Sequence, residues 1–179
     1  MRADAQQNQE RLLAVAAKAF ADEGTGASLK AIAKEAGVGI GTLYRRFPTR
    51  ETLVEAVYRN EVTRLCAAAS ELLADRSPVD ALRAWMIQFV DLMATKHGMG
   101  DTLRAVLVSD DDRLRTRYLL RDALVVLLDA GVADGTVRAG LDPYDVLMGL
   151  GGMTLIAEGN GQRELALRLV DLLINGLAR

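Results

Sequence analysis

Apolar residues recur three and four positions apart through most of this chain, and the strict alternation that marks a half-buried strand is nearly absent. That period predicts an all-α protein of about nine helices, because only a 3.6-residue repeat keeps such positions on one face. The first helix is expected from about Gln7 to Asp22, with Leu12, Leu13, Val15, Ala16, Ala19 and Phe20 on one face and Gly24 and Gly26 ending it. Ser28 caps a short helix, LKAIAKEAG, and a third short helix carries IGTLYRRF until Pro48 interrupts it. Thr49 is the expected N-cap of a long fourth helix of about Arg50 to Ala74, helped by Glu51 in its first turn.

A junction is expected near Ser77-Pro78-Val79-Asp80, which sets a capping serine, a first-turn proline and an acidic N3 residue in the order a helix start prefers. The fifth helix is expected to end at about His97, where Lys96-His97-Gly98 reads as a cationic last turn and a glycine stop. A short sixth follows from about Asp101 to Val108. The run Asp110, Asp111, Asp112 starts a seventh that reaches about Ala133, ahead of an Asp134-Gly135 turn. Asp142-Pro143-Tyr144-Asp145 opens an eighth helix to about Glu158, and Gly159-Asn160-Gly161 separates it from a ninth, about Gln162 to Leu177.

With 179 residues, half of them apolar, the chain can build a core without staples. Cys66 is the single cysteine, so no internal disulfide is available, and it reads as a small buried hydrophobe in a reducing compartment. No apolar run approaches the roughly 20 residues of a membrane span, and the polar N-terminus MRADAQQNQE has no signal-peptide core behind it, so a soluble cytoplasmic protein is expected. The net charge of −2 is unevenly spread: nine basic residues against seven acidic ones give residues 1–60 a charge of +2, leaving −4 for the rest. A mildly basic head on an acidic body suits a protein whose head alone meets phosphate.

Within that head, Ile32, Ala33, Gly37, Val38, Leu43 and Phe47 form a pattern. Two short helices cross closely only if the first presents a small residue and the turn tolerates an unusual backbone, which Ala33 and Gly37 allow. Ile32, Val38, Leu43 and Phe47 then supply a small core. The opposite side of the second helix is left with Thr42, Tyr44, Arg45 and Arg46, groups that hydrogen-bond phosphate and base edges. No acidic residue occurs between Glu35 and Glu51, which favours an anionic partner. Lys34, on the neighbouring short helix, reads as a solvated charge. The string GVGIG follows a helix rather than a strand, so it is not read as a dinucleotide loop.

The stretch from about Gln9 to Val57, with SLKAIAKEAGVGIGTLYRRFPTRETLVEAVY as its core, resembles the TetR family of bacterial repressors. It follows that family's pattern of a helix, a three-residue turn, GTLYxxF, a proline or similar residue, then a basic residue and a long connecting helix. The resemblance implies a helix-turn-helix DNA-binding domain at 1–50 and a ligand-binding and dimerisation domain at 51–179, with 51–74 the connecting helix. It implies that Ser28 and Lys30 lie near phosphates, that Gly41, Thr42, Tyr44 and Arg46 line the recognition surface, and that Arg50 reaches phosphate; Arg45 is added from its place on the same face. Gly39 and Ile40 depart from the pattern, which commonly has a serine or threonine and a lysine there, so that edge carries one cation fewer. Ile40 could instead meet a thymine methyl group.

A single head gives little specificity, so a homodimer on a double-stranded DNA operator is expected, its heads roughly 34 Å apart on successive turns. In the family the last two long helices form that interface, which maps here to Gly149, Gly152, Met153, Leu169 and Leu173. Gly149, Gly151 and Gly152 each weaken a helix by about 1 kcal/mol relative to alanine, so close backbones or a local kink should explain them. The resemblance also implies a small-molecule effector pocket, for which Trp85, Met86, Phe89, Met93, Leu103, Leu107, Tyr118 and Leu124 are the candidates, with plain core as the competing role. Their apolar character suits a mainly apolar effector. His97 reads as a helix C-terminal residue rather than a pocket contact, and Asp110–Asp112 as a helix start rather than a cation site. No catalytic set, metal spacing or phosphate loop is present in the sequence, so neither enzyme activity nor a cofactor is expected. The function implied is a repressor released by its effector; a ligand-independent regulator or activator, and a helical partner-binding module or enzyme with an incidental helix-turn-helix, are the alternatives.

Overall fold

The computed structural model describes residues 2–107, 110–156 and 163–179. Among them are eight α-helices: α1 (Arg2–Glu23), α2 (Leu29–Glu35), α3 (Ile40–Arg46), α4 (Arg50–Asp75), α5 (Pro78–Val106), α6 (Asp110–Ala133), α7 (Pro143–Ile156) and α8 (Arg163–Leu177). A single 3-10 turn, Gly24–Gly26, joins α1 to the helix-turn-helix. The described residues form no β-strand beyond one isolated antiparallel bridge, Val137 to Ala178. None of their helices is long and apolar enough to cross a membrane. The expected Gly159-Asn160-Gly161 turn lies outside the described residues, as do the ends of the helices beside it at 157–158 and 162, and the Val108 end of the short sixth helix.

Local chemistry explains the helix starts. Ser77 Oγ accepts the Asp80 N–H at 3.3 Å and donates to the Asp80 carboxylate at 2.5 Å, so Pro78 enters α5 where its missing N–H is not needed. Asp142 Oδ1 accepts the Tyr144 N–H at 2.8 Å ahead of α7. α1 begins at Arg2 rather than Gln7; the residues RADAQ include no large apolar residue for hydrophobic periodicity to register.

The break expected between a fifth and a sixth helix lies inside α5. Backbone of helical form runs past Gly98 to a non-helical residue at Gly100 (φ 23°, ψ −110°), so α5 is two helices meeting at a kink, and the expected end near His97 and restart near Asp101 are displaced by only about three residues. Gly98 answers a different need. A Cβ there would sit 2.0 Å from the Phe20 carbonyl oxygen and 3.1 Å from Ala21 Cα, so only glycine lets this backbone lie against the end of α1.

The chain divides into two compact units. The first is Met1–Glu61 with Thr95–Asp110, and the second is Val62–Ala94 with Asp111–Arg179. Leu12, Leu13, Phe20, Ile32, Leu43, Leu53, Val54, Val57 and Met99 are buried in the first. Each such side chain stabilises by about 1.5–3 kcal/mol on leaving water. The second is built on Leu65, Leu82, Trp85, Met86, Leu124, Leu127, Leu147, Leu150 and Val170, all buried. Trp85 donates its indole N–H to the Leu65 carbonyl at 2.8 Å, which satisfies the one polar atom the ring brings inside. Exposed ion pairs Arg83–Asp171 (2.5 Å) and Arg163–Asp91 (2.9 Å) tie α5 to α8, a contribution on the order of 0–1 kcal/mol each.

Candidate nucleic-acid interface

The site is built on the turn between α2 and α3. Ala36 ends α2, and Gly37 takes φ +68°, the left-handed region that a β-carbon disfavours. With that one turn of backbone, the Gly37 N–H reaches the Lys34 carbonyl at 3.1 Å and the Val38 N–H reaches Ala33 at 2.9 Å. This paired closure satisfies two orphan carbonyls at the end of α2 and fixes the direction of the chain into α3. Ile32, Ala33, Leu43 and Phe47 are buried beneath the crossing and Val38 is half-buried. At the other end, Ser28 Oγ accepts the Ala31 N–H at 3.3 Å and caps α2, leaving Ser28 and Lys30 exposed at its start.

Leu43 is the only buried residue of α3. Gly41, Thr42, Tyr44, Arg45 and Arg46 are all exposed on it, Tyr44 by 49%. Arg45 folds back along its own helix, donating to the Gly41 carbonyl at 3.3 Å and to Thr42 Oγ1 at 3.2 Å. The Thr42 hydroxyl keeps its own proton for an outside acceptor. Arg46 donates to the side-chain oxygen of Gln9 on α1. Among the described residues no carboxylate is bonded to Lys30, Lys34, Arg45 or Arg46, so this edge presents uncompensated positive charge. Ile40 lies at the leading edge, 39% exposed, beside Gly39, which caps α3 without a side chain.

Arg50 opens α4. Its guanidinium, half-buried, donates through Nη1 to the Thr25 carbonyl and to the Ala27 carbonyl at 2.8 Å. The helix start is held by a reciprocal pair: the Thr52 N–H donates to Thr49 Oγ1 at 3.2 Å and the Thr49 N–H to Thr52 Oγ1 at 3.3 Å. Glu51 is held below the ordinary carboxylate range by its own backbone N–H and by the Thr49 hydroxyl, with the Arg50 charge adding a little. Neither Gln9 nor the Thr25–Ala27 carbonyls were legible as partners, because nothing in residue type or spacing couples positions 37 and 25 apart in sequence.

The candidate effector residues divide between the units. Trp85, Met86, Phe89, Met93 and Leu124 are buried in the second, where the Trp85 and Phe89 ring centroids are 6.0 Å apart. Leu103 and Leu107 are buried in the first unit, and Tyr118 is on the surface of α6 with the Arg121 guanidinium 5.0 Å from its ring centre. Of the candidate dimer residues, Gly149 is exposed and Gly152, Met153, Leu169 and Leu173 are half-buried. Cys66 is half-buried rather than the buried hydrophobe expected; burial pushes its thiol up, with the Asp122 charge acting in the same direction.

Comparison with known proteins places this geometry in a family. Residues 77–179 match the C-terminal domain of SbtR-like transcriptional regulators, and residues 12–57 match the bacterial regulatory proteins of the tetR family. The chain belongs to the TetR family. It is a DNA-binding transcriptional regulator rather than an enzyme. The TetR match at 12–57 contains Ser28, Lys30, the whole of α3 and Arg50. The HTH-type transcriptional repressor KstR2 of Mycolicibacterium smegmatis is 30% identical over 142 residues, 75% of this chain and 69% of that one. Among solved TetR structures, regulator SCO0520 from Streptomyces coelicolor is 47% identical with a TM-score of 0.86, covering 94% of this chain and 97% of its own. A TetR regulatory protein from Mycobacterium vanbaalenii is 34% identical with a TM-score of 0.77, covering 99% of both chains.

Proposed function

We propose that this TetR-family protein is a homodimeric repressor that holds a palindromic operator through α3 and releases it when a small, mainly apolar effector binds the second unit. The exposed face of α3 carries the reading: Thr42, Tyr44, Arg45 and Arg46 stand together with no carboxylate bonded to them among the described residues. In the complex Thr42, Tyr44 and Arg46 meet base edges and the groove wall beside Gly41. Ser28, Lys30 and Arg45 meet the flanking phosphates. Arg50 adds its charge beside the same edge. The name of the mycolicibacterial relative, a repressor, supports the sign of regulation.

Pairing is supported by α7 and α8. Leu155, Ile156 and Leu172 are 61%, 71% and 66% exposed, and a Cβ added at Gly149, Gly151 or Gly152 would meet open space. Three glycines in one helix that its own subunit does not require, beside bare aliphatic side chains, suit a second copy lying close to the backbone. Release requires the effector to favour the non-binding arrangement by its differential affinity, since equal binding to both arrangements shifts nothing. A ligand-independent regulator is favoured by one observation: Trp85 and Met86 are fully buried and the indole N–H is already satisfied, as in an ordinary core.

Tyr44→Phe and Arg46→Ala test the site. Loss of one hydrogen bond should weaken operator binding about fivefold and loss of a base-reading arginine about 10- to 100-fold, at constant salt and with the dimer intact. Unchanged affinity in both variants contradicts the assignment.

A further inference from the structure

Arg50 sits at the first residue of α4, the place in a helix where a cation is least favoured, because the N-terminal N–H groups already concentrate positive charge. A gain elsewhere offsets that cost. That gain is visible in its contacts: one guanidinium nitrogen, half-buried, holds the carbonyls of both Thr25 and Ala27. Those carbonyls belong to the turn between α1 and α2, where Gly24 (φ +71°) and Gly26 bring no side chain to anchor it and the backbone supplies one tie, Ala27 N–H to Gly24 O at 3.2 Å. The other end of the brace is rigid, since the Thr49–Thr52 pair fixes the backbone from which Arg50 projects.

We infer that Arg50 is a positioning residue: it fastens the α1–α2 turn to the start of α4, so that the helix-turn-helix is held to the first turn of that helix. This rests on the DNA-binding reading above and changes one part of it, because the guanidinium acts on the protein backbone rather than on phosphate. Lysine separates the two roles. Its ammonium keeps the charge but ends one bond short of Nη1, so it preserves attraction to phosphate and loses the two carbonyls.

The test uses the full chain with Arg50→Lys and Arg50→Gln, each checked by thermal melting. The probe is a duplex recovered by selecting genomic fragments that the wild-type protein binds. Both variants should lose at least about tenfold in affinity, with the slope of log affinity against log salt unchanged. Amide hydrogen exchange at Ala27, Ala31 and Ile32 should speed up about tenfold or more in both, while the Val57 amide in α4 does not change. A lysine variant of full affinity beside a glutamine variant with a slope lower by about one assigns Arg50 to phosphate and overturns the brace. Full affinity in both variants overturns it as well. Should the wild-type chain bind no DNA, the functional reading fails by itself, and unchanged exchange at the three amides then removes the brace too.

Discussion

Gly37 carries the geometry of the interface at the level of single residues. Its positive φ closes α2 and aims α3, and an added β-carbon would also crowd Arg11 Nη2 at 3.1 Å. The arginine end can move aside, so the left-handed backbone sets the cost. Gly37→Ala should destabilise the protein by about 1–2 kcal/mol, read as a lower urea midpoint at unchanged slope. The same midpoint as wild type would show that the turn does not depend on glycine. The sequence made this residue legible because a glycine between two short amphipathic runs has few other uses. Arg46 and Arg50 were legible only as charges, and the side chain and carbonyls they hold are matters of tertiary approach that no local pattern encodes.

At the level of elements, helix starts were the most readable feature and helix ends the least. Ser77-Pro78 and Asp142-Pro143 mark α5 and α7 at the residues where the helices begin, because a cap, a proline without N–H and a first-turn acid act locally. Glycine signals two different things, and the sequence does not say which. After Lys96-His97, Gly98 reads as a stop, yet it is a helical residue that admits the backbone of α1, while Gly100 two residues later carries the break. The consequence is testable. Gly98→Ala improves helix propensity by about 0.8–1 kcal/mol but places a β-carbon against backbone that cannot rotate away. Overpacking of this kind costs about 1–3 kcal/mol, so the variant should melt at a lower temperature than wild type. A higher melting temperature would mean that the approach of Gly98 to Phe20 relaxes freely. Gly149, Gly151 and Gly152 meet no such neighbour within the subunit, and nothing in local residue pattern separates them from Gly98.

For the whole molecule, association is the next requirement, because one head with a single seven-residue recognition helix reads too little DNA to be selective. Leu172 and Ile156 are exposed by about two-thirds or more on α8 and α7, and burying them against a second copy accounts for side chains that otherwise lie bare in water. Leu172→Glu with Ile156→Lys should shift the protein to monomers in sedimentation at micromolar concentration. It should also lower operator affinity strongly while leaving the helical content of each subunit unchanged. Dimers of wild-type stability would move the interface elsewhere. Whether α3 reads DNA sequence is decided by selecting genomic fragments and titrating the recovered duplex against a scrambled one over a range of salt. A shared two-fold motif should be bound at least about 1,000-fold more tightly than the scrambled duplex, with log affinity falling linearly as log salt rises. Fragments with no common motif, bound no better than scrambled DNA at every salt concentration, would contradict that role of α3.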